Sequence, residues 1–491
     1  MTPLFASLLL WAAAEPPAAE PPAPEAQSPP TDTASGQTEQ TEPPATVAEP
    51  PDSRLEAYEQ FRALYDAGRY QDALPLAHQV VELSAQDGEH ERELPIAYNN
   101  LGATQLQLAD FKAAEASYHK SLELLETTQG ISSRRLVVPL AGLGAAYAAQ
   151  DQHDLAAVFL ARALAVSRRA DGLFNLAQLP LVEQLGDSLY ALADYGGAER
   201  ERLYALTIAE QNYGYGDPRT LPALNSLARF YEGLREYSSA RSMYMRIRDA
   251  AGTEGGGLSA ESIRALLGIA RTHRLQYMVD PASVESQLPE REERITDPMD
   301  TIFKQPRVLI PVTERGGLRA ARSALELLRA ASDPPPQLMI DALTELGDWY
   351  QTTSRQSLAN PCYQEALAVI AAHPERALVN PMAAPRLVFY RPPLSAMRGL
   401  NAMGGEYRIR RTVFEFTVTA SGAPENITIV ESDMTEGQMV QSRRALSRAV
   451  YSPRFENGEP AASDGVRFTS EWSELIQPGD TADTPQAAQS G

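Results

Sequence analysis

The sequence predicts a mainly helical fold, an α-solenoid of helix pairs followed by a small α+β module. Three observations lead there. Small residues recur at Gly102, Gly144, Gly186, Ala228 and Ala270, a constant step of 42, and alanine follows each after twelve residues at Ala114, Ala156, Ala198, Ala240 and Ala282. Around the anchors, apolar residues stand at three- and four-residue offsets, as at Leu143, Tyr147, Leu160 and Leu164, giving two helix stripes per unit. After Pro374 that period stops, and Thr412–Thr419 alternates apolar and polar residues in the manner of a half-buried strand.

The chain begins with an apolar run from Leu4 to Ala14 that ends in small residues. Residues 1–14 read as a signal peptide cleaved after Ala14, although the only positive charge there is the terminal amine. As a helix, the run would span about 16 Å, too short for a bilayer core of roughly 30 Å. Residues 15–53 are rich in Pro and Ala and carry eight acids with no Lys or Arg, so an extended, disordered Pro/Glu-rich linker is expected.

Residues 54–372 form the array. Small residues at the Gly102 and Ala114 positions let two antiparallel helices approach closely. A first unit shows in Gly68–Leu74, one residue out of step, and a last one in Leu346-Gly347, Tyr350, Ala359 and Tyr363. Between them, Ala324-Leu325 lies 42 residues before Ala366-Leu367, so it belongs to the second helix of an interrupted unit. The interruption is an insertion of about 280–315, and its five prolines argue against a long helix. A linker over 373–404 should follow.

The alternation of small and large positions resembles that of the tetratricopeptide repeat. The longer period, with Gly216–Thr220 leading into Leu224-Asn225-Ser226-Leu227-Ala228, is similar to the kinesin-light-chain type. That resemblance implies a groove lined by the first helix of each unit, at positions three before, two before and one after the anchor. Carried over, these are Asn99 and Asn100; Glu183, Gln184 and Asp187; Asn225, Ser226 and Arg229; then Arg271 and Asp348. Asparagine can bond an extended peptide through both donor and acceptor.

Residues 405–476 make the α+β module. After the strand, Ala420–Pro424 supplies a turn and Asn426–Val430 alternates again; a helix is expected over Glu436–Val450 and a last strand around Gly465–Trp472. The Phe416-Thr417-Val418 strand before Ser421-Gly422, the Tyr451/Pro453 pair, Asn457-Gly458 and the closing strand resemble the C-terminal domain of TonB energy transducers. The resemblance implies a periplasmic domain that adds a partner strand to the edge at Val466, Phe468, Ser470 and Trp472. A transducer needs an uncleaved membrane helix coupled to a motor, and for that helix the sequence shows only the short segment 1–14. The fold and the strand-docking mode are therefore carried over and the motor function is not. A small sheet domain that merely stabilises the end of the array is an alternative. Residues 477–491 are expected to be a disordered tail.

Chemistry is not evident. The six histidines are scattered, and His90 lacks a second histidine at metal-site spacing. Gly255-Gly256-Gly257 is followed by Leu258 and not by Lys-Ser/Thr, and no Gly-x-Ser-x-Gly occurs. Cys362 is the single cysteine, so no intramolecular disulfide forms. A net charge of −21 disfavours nucleic acid. The expectation is therefore a non-enzymatic scaffold without cofactor or metal, exported to the periplasm of a Gram-negative envelope, with protein or peptide partners. The alternative is a TonB-like transducer in outer-membrane transport, anchored in the inner membrane by residues 1–14.

Overall fold

The computed structural model describes residues 53–86, 93–254, 257–278, 314–393 and 407–475. The expected signal peptide, most of the acidic linker, the insertion up to residue 313 and the tail lie outside these residues, as does Ala282. The chain divides into two compact units at Asn212/Tyr213.

The first unit is helical. It holds α1 (Ser53–Asp66), α2 (Tyr70–Gln86), α3 (Leu94–Gln107), α4 (Phe111–Gln129), α5 (Val137–Ala149), α6 (His153–Asp171), α7 (Leu179–Ala191) and most of α8 (Tyr195–Tyr213). From α1 to α7 each helix packs on the next, α8 meets α7 where Arg202 lies over Gly186, and α5 also touches α3 and α7, so the first helices of successive pairs lie side by side. The anchors work by omission of a side chain. At Gly102 a Cβ would stand 3.1 Å from the Tyr118 ring, and at Gly144 it would stand 2.5 Å from Leu160 Cγ. In both pairs the residue sixteen positions on covers the anchor and is fully buried. The turns repeat as well: Ala109, Asp151 and Ala193, again 42 apart, take φ of 61°, 58° and 59°, and Gly68 serves the first pair at 72°. Asp110 caps α4 by accepting from the Ala113 N–H at 3.2 Å.

The second unit continues with α9 (Leu221–Gly233), α10 (Tyr237–Ala250), α11 (Ala260–Tyr277), α12 (Glu314–Ala330), α13 (Pro336–Thr352) and α14 (Gln356–Ala372). Helices α11 and α12 pack together although the insertion separates them, and Ala324 and Leu325 are buried in α12. Trp349 of α13 is fully buried, lies against the Cα of Gly317, and donates its indole N–H to the Ala270 carbonyl at 3.1 Å. That tryptophan ties the interrupted pair to the pair after it.

A small sheet region completes the second unit: β1 (Arg386–Phe389), β2 (Tyr407–Val418), β3 (Pro424–Ser432), α15 (Glu436–Leu446), β4 (Val450–Ser452), β5 (Arg454–Glu456), β6 (Glu459–Ala461) and β7 (Ser463–Leu475). The main sheet has the order β3-β2-β7, antiparallel throughout, while β1 pairs with β4 and β5 with β6. Phe414, Phe416, Val418, Leu446 and Tyr451 form its core. Two expectations need correction. The stretch expected as a plain linker over 373–404 contains β1, because Leu387 and Phe389 register against Tyr451 and Val450. The helix expected to reach Val450 ends at Leu446, because Val450 and Tyr451 are drawn into that pairing with β1. Thr435 opens the same helix with a capping box, its hydroxyl and Gln438 satisfying each other's backbone N–H groups.

Candidate peptide groove

In the first unit the groove positions fall on α3 and α7. Asn99 is 8% exposed, with Oδ1 lacking a hydrogen-bond partner among the described residues, while Asn100 is half-buried. Glu183 and Gln184 are half-buried and Asp187 is exposed. Behind them stands an exception to the repeat's own rule. The position sixteen after Gly186, where other pairs place Tyr118 or Leu160, is Arg202, and it is 8% exposed. Its guanidinium lies over Gly186, 2.8 Å from where a Cβ would be, and donates to Asp187 Oδ1 at 2.5 Å. Burial and the neighbouring Asp187 push the Glu183 carboxyl above its ordinary value, with Arg202 opposing them. This pair thus carries a buried cation beside two groove acids.

A second polar cluster in that unit lies on α4 and α5. Tyr147 donates to Glu115 Oε1 at 2.8 Å, with His119 Nε2 3.2 Å from the phenol oxygen. Its ring stacks on Phe159 at 5.4 Å, and burial together with the Glu115 bond pushes the phenol pKa up to about 12. Among the described residues no group of three or more His, Cys, Asp or Glu is arranged to hold a metal ion. No described helix is long and apolar enough to cross a membrane.

In the second unit the expected groove positions Asn225, Arg271 and Asp348 are already engaged. Asn225 donates to the Leu221 carbonyl of its own helix at 3.0 Å, whereas Arg229 is exposed. Arg271 holds Glu232 in a two-point contact at 2.9 and 3.0 Å and donates to Tyr244 Oη at 3.2 Å. Asp348 is 1% exposed and sits at the centre of an ion cluster. It accepts from Tyr363 Oη at 2.9 Å and from Arg386 Nη2 at 2.6 Å, with Arg274 Nη2 at 3.6 Å. Arg274 also grips both oxygens of Glu345, at 2.8 and 3.0 Å, and donates Nη1 to the Val388 carbonyl at 2.9 Å. Burial alone would lower the Arg274 pKa, yet the Glu345 and Asp348 carboxylates outweigh it and the value rises. Asp348 is therefore an internal ion-pair residue, closed to solvent by the sheet region.

Reasoning from sequence alone missed Arg274, Glu345 and Gln351. Arg274 and Gln351 stand four residues after their anchors Ala270 and Gly347, on the same helix face as the position three before. Gln351 donates to the carbonyls of Ser421 at 2.5 Å and Tyr451 at 3.0 Å, fastening the β2–β3 turn to α13. Beside it, Gly422 at φ 83° has no room for a Cβ against the Tyr451 carbonyl and the Gln351 amide.

The four residues expected at a docking edge all lie on β7, which is an edge strand of the three-stranded sheet. Their side chains face inward. Val466 and Phe468 pack on the sheet core, Phe468 meets Tyr390 at 4.6 Å between ring centroids, Ser470 is 2% exposed and Trp472 packs with Met434. What the edge offers outward is main chain.

The sequence profile of the family described as Tetratricopeptide repeat matches residues 62–127 and 93–169. The protein contains tetratricopeptide repeats. A search of curated proteins finds no match. Among solved structures, the chain is similar to the tetratricopeptide-like repeats assigned to a kinesin light chain of Podosopora anserina. Identity there is 19%, coverage 41% of this chain and 96% of that one, and the TM-score 0.37. It is also similar to the C-terminal part of a TPR repeat-containing protein of Cytophaga hutchinsonii, at 14% identity, 64% and 95% coverage and a TM-score of 0.40. BtubC of P. vanneervenii gives 15% identity, 63% and 94% coverage and a TM-score of 0.36. Nothing about partners follows from these likenesses.

Proposed function

We propose that this protein is a non-enzymatic scaffold of the bacterial envelope that holds an extended protein or peptide segment against the first helices of its tetratricopeptide repeats. The observation that supports this reading is the side-by-side packing of α3, α5 and α7; by repeat register, Asn100 of α3 and Glu183, Gln184 and Asp187 of α7 would line their shared face. Side-chain amides there can bond a peptide backbone, and the two acids beside buried Arg202 favour a segment bearing positive charge. Residues 1–14 and the acidic stretch behind them support export to the periplasm. The place of β7 at the edge of the sheet among the described residues supports capture of a further strand through main-chain hydrogen bonds.

The test is site-specific photo-crosslinking in cells. A crosslinker in place of Asn100 or Asp187 should give one protein adduct that the same group at Val158, exposed on a second helix, does not. Equal adducts from all three positions would reject the groove. A second reading, an energy transducer for outer-membrane transport, is favoured by the position of β7 at the sheet edge. It requires residues 1–14 to remain in the inner membrane.

A further inference from the structure

β1 crosses the terminal repeats in the way an extended ligand would. Arg386 reaches Asp348, the position one after the anchor of the last unit, at 2.6 Å. Two residues on, the Val388 carbonyl accepts from Arg274, four after the anchor of the preceding unit, at 2.9 Å. Val388 and Phe389 are 5% and 7% exposed. Tyr390 follows, within electrostatic reach of Arg235 in the α9–α10 turn. From 386 to 390 an extended chain covers about 13 Å. Pro385, Pro392 and Pro393 bracket the segment and keep it out of a helix.

The groove groups do not depend on this strand for their pairing. Arg274 keeps both oxygens of Glu345, and Asp348 keeps Tyr363 and Arg274, all supplied by the helices themselves. The site is thus prearranged, and the strand adds one cation and one carbonyl to it.

We propose that residues 385–391 are a tethered ligand of the terminal groove, and that an extended partner segment of the same chemistry can replace them. That segment offers a cation for Asp348, a main-chain carbonyl two residues on for Arg274, and an apolar pair to cover both. Strand exchange against β4 leaves the rest of the sheet docked, held by Gln351 and by the Tyr363–Phe455 contact. The tether supplies a high effective concentration, so the groove stays closed until a partner competes. This inference rests on the groove reading above, carried from its open positions to its occupied end.

The experiment uses a labelled synthetic peptide with the sequence of residues 385–391, titrated by fluorescence anisotropy into the full chain. Arg386→Ala should bind it at least tenfold more tightly than the unmodified protein, and adding Asp348→Asn should remove that binding. Equal affinity for the unmodified and Arg386→Ala chains, or no binding to either, overturns the tethered ligand. Should Arg386→Ala fail to fold, the unmodified chain decides by hydrogen exchange. Unlabelled peptide should accelerate exchange at Leu387–Phe389 and leave β2 unchanged; no acceleration overturns the proposal. Crosslinking at Asn100 and Asp187 involves none of these residues, so the groove reading and this inference fail separately.

Discussion

Arg274 and Glu345, 71 residues apart in sequence, form a two-point ion pair at 2.8 and 3.0 Å beneath the strand that carries Val388. Both are largely closed to water, at 3% and 7% exposure. The same guanidinium serves two helices and a strand, joining the repeat array to the sheet within the second unit.

Removing one partner of this pair leaves a buried charge without its complement. Arg274→Met alone or Glu345→Met alone should destabilise the second unit by about 3–5 kcal/mol, and the two changes together by much less. Urea denaturation of the singles and the double, read as a mutant cycle, checks this. Additive losses would mean that the two side chains do not interact.

Gly422 sits against the Tyr451 carbonyl and the Gln351 amide with no room for a side chain. Gly422→Ala places a methyl group against the Tyr451 carbonyl and imposes a left-handed conformation on alanine, so a loss of at least about 2 kcal/mol is expected. Gly458, also at positive φ but with open space around it, should lose only about 1 kcal/mol on the same change. Thermal denaturation of the two variants gives the comparison.

The turns make an opposite prediction. Ala193 occupies φ 59°, where glycine meets no steric penalty, so Ala193→Gly should be neutral or stabilising by up to about 1 kcal/mol. Gly68→Ala, at φ 72° in the equivalent turn, should be destabilising by a similar amount. Chemical denaturation curves would show the two shifts in opposite directions.

His273 links stability to pH. It is 4% exposed, and burial, assisted by Arg241, lowers its pKa to about 4. The unfolded chain, with an ordinary histidine value near 6.5, therefore binds more protons between those two values. Stability attributable to His273 is complete above about pH 6.5 and falls as pH drops towards 4, by up to about 3 kcal/mol. His273→Gln should flatten this part of the profile; an unchanged difference between the two proteins from pH 7 to 4.5 would contradict it.

Much of the array was legible because its packing is periodic. One missing side chain at Gly102 or Gly144 accommodates one large residue sixteen positions later, and this repeats with the helix pair. The sheet was legible as alternation, since each strand of it has one buried face. What escaped was specified by single residues. β1 is four residues long and is defined by its partners β4 and Arg274, far away in sequence. Asp348 reads as a groove residue by register, but its burial depends on Arg386, which no local pattern announces. Arg202 could have been found, as a cation at a position the other pairs give to Tyr or Leu.

The C-terminal sheet is fastened to α13 through Gln351, which donates to the Ser421 and Tyr451 carbonyls. Hydrogen exchange on the intact chain, with and without Gln351→Ala, tests this fastening most directly. β2, β7 and α13 should lose protection together in the variant, by about the same factor. Loss of protection in α13 with β2 and β7 unchanged would show a sheet that stands independently of the helices.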